Sequence, residues 1–246
     1  MSDRTIIAWT ERTWNPWRGC TQISPGCAHC YMFTAQRRYG MDPEVVLRSQ
    51  TTFTKPRRWN RAAERAGKPE RVFTCSWSDW FHEAADAWRP EAWTIVRECP
   101  WLQFQILTKR HERIADHLPP DWGEGYPNVW LGVSIENNRF VHRADTLRTI
   151  PAAVRFISAE PLLGPLPDLT LRGVDWLIVG GESGPGYRPM DHAWVRDLRD
   201  RARAAHVAFF FKQSAAPMTE MGIELDGQIV REYPVPSTPL LRGLLS

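Results

Sequence analysis

The sequence predicts an α/β protein whose parallel strands curl into a closed or partly closed (βα) barrel. Apolar or β-branched runs recur at residues 5–9, 71–75, 102–107, 129–133, 154–157, 176–179 and 207–211. After the first they repeat every ~22–31 residues, the length of one βα unit. Helix-like stretches at 57–66, 91–98, 110–118, 138–149 and 192–206 lie between them, and this alternation implies a parallel sheet covered by helices. Each later run also ends in polar residues, and in such a barrel the C-terminal strand ends converge on the face where sites are built.

Residues 5–9 form the first expected strand. The connection from Thr10 to about Glu70 is too long for an ordinary βα loop, and loops of that length are usually functional. Its first part, 10–31, carries Cys20, Cys27 and Cys30, with a helix starting near Tyr31. The next runs end in Ser76-Trp77-Ser78-Asp79, Thr108-Lys109-Arg110, Ser134-Ile135-Glu136, Ser158-Ala159-Glu160, Gly180-Gly181-Glu182 and Lys212-Gln213. In the last helix Trp194, Val195, Leu198, Arg201, Ala202 and Ala205 recur at helical spacing. Residues 224–230 read as a hairpin around Asp226-Gly227, followed by a Pro-rich tail. The expected division is therefore a barrel over 1–213 and an appendage over 214–246.

With 246 residues, 43% hydrophobic and 24% charged, the chain suits one globular core into which most of its thirteen tryptophans pack. A net charge of +3 permits a nucleic-acid partner without forming the basic stripe that would argue for one. No apolar run approaches the roughly 20 residues of a membrane span, and Met1-Ser2-Asp3-Arg4 does not open a signal peptide. Five cysteines, three of them clustered, do not resemble a secreted disulfide framework. The expectation is a cytoplasmic protein with no membrane partner and with thiols free to act as ligands.

Three thiolates spaced Cys20-x6-Cys27-x2-Cys30 can hold three corners of an iron–sulfur cluster and leave the fourth iron open. Gly19 and Gly26 supply backbone freedom for a tight ligand loop. Zinc competes: Cys27-x2-Cys30 is a common half-site, completed by Cys20 and either His29 or Cys75, although a second Cys or His pair is missing. That alternative describes a non-enzymatic zinc- or cluster-stabilised nucleic-acid-binding protein. Cys75 and Cys99 otherwise read as ordinary buried cysteines.

The motifs Trp14-Asn15-Pro16, Gly19-Cys20, Ser24-Pro25-Gly26-Cys27 and Cys30-Tyr31, with Phe210-Phe211-Lys212-Gln213 and Leu225-Asp226-Gly227, resemble a phage-associated family of radical-SAM-like proteins with no settled function. The resemblance spans nearly the whole chain. It implies a partial (βα)6-type barrel, a [4Fe-4S] cluster on Cys20, Cys27 and Cys30, and S-adenosylmethionine at the fourth iron. An external donor would supply the electron, and a 5'-deoxyadenosyl radical would act on a substrate such as nucleic acid or a nucleotide, in modification or repair.

The same resemblance directs the remaining candidates. His29 or Tyr31 would lie near the adenine. Ser76 and Asp79 are candidates for the methionine ammonium, and Ser134, Glu136, Ser158 and Glu160 for ribose or methionine. Lys109 and Lys212 could meet the methionine carboxylate or a substrate phosphate. Gly180-Gly181-Glu182 matches neither a P-loop nor a dinucleotide fingerprint and suits a close backbone approach to an adenosyl group. Arginines mingle with aromatics at 55–61 and 37–39, a pattern shared by nucleic-acid contacts and by charged faces of amphipathic helices.

Overall fold

A computed structural model describes residues 4–235; the Pro-rich tail beyond them lies outside the described residues. In chain order the elements are β1 (Arg12–Trp14), β2 (Trp17–Arg18), α1 (Tyr31–Arg38), β3 (Leu47–Arg48), α2 (Lys55–Arg65), β4 (Glu70–Thr74), α3 (Arg89–Arg97) and β5 (Leu102–Thr108). There follow β6 (Val129–Ser134), α4 (His142–Thr149), β7 (Val154–Ala159), β8 (Trp176–Gly180), α5 (His192–Ala204) and β9 (Ala208–Gln213). β1-β4-β5-β6-β7-β8-β9 form one seven-stranded sheet in which every pairing is parallel, a half-barrel. The short antiparallel ribbon β2-β3 stands apart from it. The expected partial α/β barrel is thus the observed architecture.

Side-chain alternation along the strands sets two layers. Val72, Leu102, Phe104, Ile106, Val129, Leu131, Ile157, Leu177, Phe209 and Phe211 belong to the outer core beneath the helices. The intervening Phe73, Trp130, Val154, Phe156, Trp176, Ile178 and Phe210 fill the barrel interior. The helices read as the sequence predicts where a cap and an apolar stripe agree. In α5 the Asp191 carboxylate accepts from Ala193 N–H at 2.7 Å, and Val195, Leu198 and Ala202 turn inward.

Two expected elements take other forms. Residues 5–9 are not a strand: Thr10 N–H donates to Ile7 carbonyl at 3.3 Å, and the turn drives Trp9 into the barrel before the chain joins the sheet at Arg12. The stretch 110–118 is not an α-helix but two 3-10 turns at His111–Arg113 and Ala115–His117. Thr108 Oγ1 takes the Arg110 N–H at 2.9 Å, and Pro119-Pro120 bars continuation of the helix.

After β9, Asp226 (φ 55°) and Gly227 (φ 75°) make the expected tight turn, closed between Leu225 and Gln228. The chain then returns antiparallel to β9, with Phe211 N–H donating to Val230 at 2.8 Å and Glu232 N–H to Phe209 at 3.0 Å. This covers the sheet edge. Tyr233 packs 5.4 Å from Trp176 and donates to Ala8 carbonyl, so the segments around Ala8 and Tyr233 close the barrel floor around Trp9. No helix among the described residues is long and apolar enough to cross a membrane.

Trp9, 4.5 Å from the Phe73 ring and 6.1 Å from the Trp176 ring, is the plug of this floor. Trp9→Ala should lower unfolding free energy by about 3–5 kcal/mol, read as a fall in denaturant midpoint.

Candidate functional site

The segment Trp14-Asn15-Pro16-Trp17 lays the cysteine loop over the strand ends. Trp14 and Trp17 are buried, their indole N–H groups donating to Phe53 carbonyl at 3.1 Å and Asp79 carbonyl at 3.0 Å. Asn15 Oδ1 accepts from Trp77 N–H at 2.8 Å, and its Nδ2 donates to Ser76 Oγ at 3.0 Å. At Gly19 the backbone turns to φ 95°, and a Cβ would stand 2.3 Å from Val45 carbonyl oxygen, so only glycine fits. Gly19 N–H donates to Trp77 and Cys20 N–H to Pro43, which aims the first thiol inward.

Three strand-end carboxylates then hold the loop. Asp79, after β4, accepts from Thr108 Oγ1 at 2.7 Å, Phe81 N–H at 2.9 Å and Lys109 N–H at 3.0 Å, and faces Arg110 at 3.4 Å. Glu136, after β6, is fully buried between Lys109 and Arg143, each at 2.9 Å, and accepts from Ser24 Oγ at 2.5 Å. Glu182, after β8, takes Arg188 in a fork and His29 Nδ1 at 2.8 Å, while Arg188 also donates to Pro25 carbonyl. Burial alone would raise the Glu136 and Glu182 carboxyls. Lys109 and Arg143 hold the first, and Arg188 the second, below the ordinary carboxylate range.

Above these anchors opens a cavity of about 620 Å3, within the ordinary range for small-molecule sites. Cys20, Cys27 and Cys30 all line it, as do His29, Tyr31, Ser76, Asp79, Lys109, Ser134, Ser158, Glu160, Gly181, Glu182 and Lys212. The polar strand ends therefore do converge on one space. Ser134 and Ser158 are direct register partners on β6 and β7, so their hydroxyls stand side by side. Glu160 and Lys212 form an ion pair across β8. Gly180 lies beneath that pair, where a Cβ would sit 3.4 Å from both side chains.

Several expected contacts fall elsewhere. Glu136 is turned to the cysteine loop, not to the cavity, because a fully buried carboxylate needs its cations close by. Asp79 and Glu182 reach the cavity wall with their oxygens already engaged, Asp79 by Thr108, Phe81, Lys109 and Arg110 and Glu182 by Arg188 and His29. Gly26 serves as space: its φ is not positive, but a Cβ there would lie 2.5 Å from Glu136 Cγ. Tyr31 is half exposed at the cavity mouth and donates to Ser76 carbonyl at 2.5 Å. Cys75, at φ 56°, adds a fourth thiol to the lining, whereas Cys99 is buried in the outer core.

Arg110, Arg143, Arg188 and Ser24 complete the site without having been singled out from sequence. Three of them reach across the chain, Arg110 to Cys20 over 90 residues, Ser24 to Glu136 over 112 and Arg188 to Pro25 over 163, whereas Arg143 meets Glu136 only seven residues away. Ser24 stood inside the motif Ser24-Pro25-Gly26-Cys27 and Arg110 at a strand end, but Arg143 and Arg188 gave no signal.

Burial, with Asp79 nearby, pushes the Cys20 thiol up to about 12, and burial pushes Cys30 up as well. Metal binding at these thiols must therefore displace protons. Among the described residues no three His, Cys, Asp or Glu side chains converge on a point that could hold a single ion. Three thiols of one loop that face a roomy cavity are the residues that could hold a metal centre there.

Two outcomes follow from the anchors. Gly26→Ala should cost about 1–3 kcal/mol by overpacking against Glu136, measured by denaturant unfolding. Because the Glu136 and Glu182 carboxyls are depressed, their stabilisation is present above about pH 4.5 and is lost as pH falls through their lower folded values. Arg188→Met should make that acid decline shallower in a pH series of unfolding free energies.

Among solved structures, a spore photoproduct lyase complexed with a dinucleoside spore photoproduct is similar at a TM-score of 0.47 and 15% identity. The match covers 79% of this chain and 61% of that one, so this chain spans less than two thirds of that enzyme's length. No curated protein matches the chain. Residues 4–234 match the model of a family described as "Protein of unknown function (DUF5131)", and the chain belongs to that family.

Proposed function

We propose that this protein is a radical S-adenosylmethionine enzyme whose [4Fe-4S] cluster is held by Cys20, Cys27 and Cys30. The observation that carries the reading is that three thiols of one loop line a single cavity at the C-terminal ends of a parallel half-barrel. Strand-end sites of this kind are where barrel enzymes do their chemistry. The bound cofactors would supply a 5'-deoxyadenosyl radical.

The chain's own residues have distinct tasks in this reading. Asp79, Glu136 and Glu182 fix the ligand loop. Ser134, Ser158, Glu160 and Lys212 offer hydroxyl, carboxylate and ammonium groups to the cofactor or substrate. The aromatic floor around Trp9, Trp130 and Trp176 closes the barrel beneath and excludes water. An external donor supplies the electron.

Nucleic acid or a nucleotide is the substrate class in this proposal. On α2 Trp59 is buried and Arg57 pairs with Glu98 at 2.7 Å, whereas Arg61 and Arg65, and Lys68 just beyond the helix, are exposed. A polynucleotide lying there would meet cations for its phosphates and no ring for its bases.

Anaerobic reconstitution should load about four irons with sulfide per chain, and reduction with dithionite in the presence of S-adenosylmethionine should release 5'-deoxyadenosine. Replacing Cys20, Cys27 or Cys30 by Ala should abolish both. One zinc per chain, or a full cluster that never cleaves S-adenosylmethionine, would count against the proposal.

A further inference from the structure

Arg110 leaves the end of β5 and runs under the cysteine loop, and its side chain is almost wholly buried, at 4% exposure. Nη2 donates to Thr21 Oγ1 at 2.7 Å and Thr21 carbonyl at 3.3 Å, which brings Nη1 to 3.6 Å from Cys20 Sγ. Two carboxylates flank the guanidinium, Asp79 at 3.4 Å and Glu83 at 3.4 Å. Thr108 ties the arrangement together: it donates to Asp79 at 2.7 Å and accepts the Arg110 N–H at 2.9 Å. A buried cation is thus fixed on one side by Asp79 and presented on the other to a sulfur.

We infer that Arg110 is a positioning residue that tunes the metal centre by donating a charge-assisted hydrogen bond to the Cys20 thiolate. The inference rests on Cys20 being a cluster ligand, as proposed above. A hydrogen bond to a ligating sulfur withdraws electron density from it, and hydrogen bonds to cluster sulfurs are among the means by which proteins set reduction potential. A guanidinium adds full positive charge in a low-dielectric setting, where it favours the more negative, reduced state. Arg110 therefore makes the cluster easier to reduce. Asp79 works against it: it orients the guanidinium but places negative charge near the same sulfur.

The test uses the full-length protein reconstituted anaerobically, with iron and sulfide counted and the cluster midpoint potential read by electron paramagnetic resonance during titration with dithionite. Arg110→Gln should load a cluster of wild-type stoichiometry and titrate at a lower potential, with Arg110→Lys between it and wild type. Arg110→Gln leaves Asp79 buried beside an uncharged amide, so a second comparison guards against misfolding. Asp79→Asn should raise the midpoint, and the double variant Asp79→Asn/Arg110→Gln, which leaves no orphaned charge, should titrate below Asp79→Asn alone. Fully loaded proteins with equal midpoints in both comparisons would overturn the role of Arg110 and leave the cluster intact. Failure of the wild type to take up any cluster would overturn the underlying reading.

Discussion

The buried carboxylate of Glu136 is the contact on which the site depends. It stands at the end of β6 with no exposure, and a charge in that position is tolerable only when its partners are close and complete. Those partners come from three directions. Lys109 follows β5, Arg143 belongs to α4, and Ser24 belongs to the cysteine loop. Satisfying one charge thus assembles strand ends, a helix and the ligand loop together. Asp79 and Glu182 repeat the scheme on either side, so loop order and barrel order are coupled.

The barrel interior is divided along its axis. Trp9, Phe73, Trp130, Phe156, Trp176 and Phe210 fill the interior below the strand ends, with Trp130 and Phe210 edge-on to Trp176. Ser134, Ser158, Glu160 and Lys212 occupy the opposite end, in the cavity. An apolar floor strengthens electrostatic effects above it, because it lowers the local dielectric around the charges that face the cavity. The cysteine loop then closes the polar end with groups whose charges cancel locally, leaving its thiols directed at the same space as the serines and the Glu160–Lys212 pair.

Much of this was legible in the chain. Parallel strands are buried on both faces, so 102–107, 129–133, 154–157 and 176–179 stood out as apolar runs and lie within strands. The misplaced elements were those where tertiary packing overruled local pattern. Residues 5–9 have strand composition, but Trp9 gains more by filling the barrel floor than by pairing. Residues 110–118 have helical composition, but Thr108 and the paired prolines break the turn pattern. Roles within the site were harder to read, because a carboxylate after a strand looks the same whether it faces a ligand or an arginine.

The sequence by itself determined the βα period, the loop that bears the thiols and the polar character of every strand end, since these depend on residue order and short-range periodicity. Only the tertiary structure decided which polar groups hold and which are offered. Asp79, Glu136 and Glu182 are taken up by Arg110, Arg143 and Arg188, while Ser134, Ser158 and the Glu160–Lys212 pair remain at the cavity. The physical reason is that a buried charge takes the nearest opposite charge in space: for Asp79 that is Arg110 on a neighbouring strand end, and for Glu136 and Glu182 it is an arginine seven or six residues on that the folding of the connection turns back.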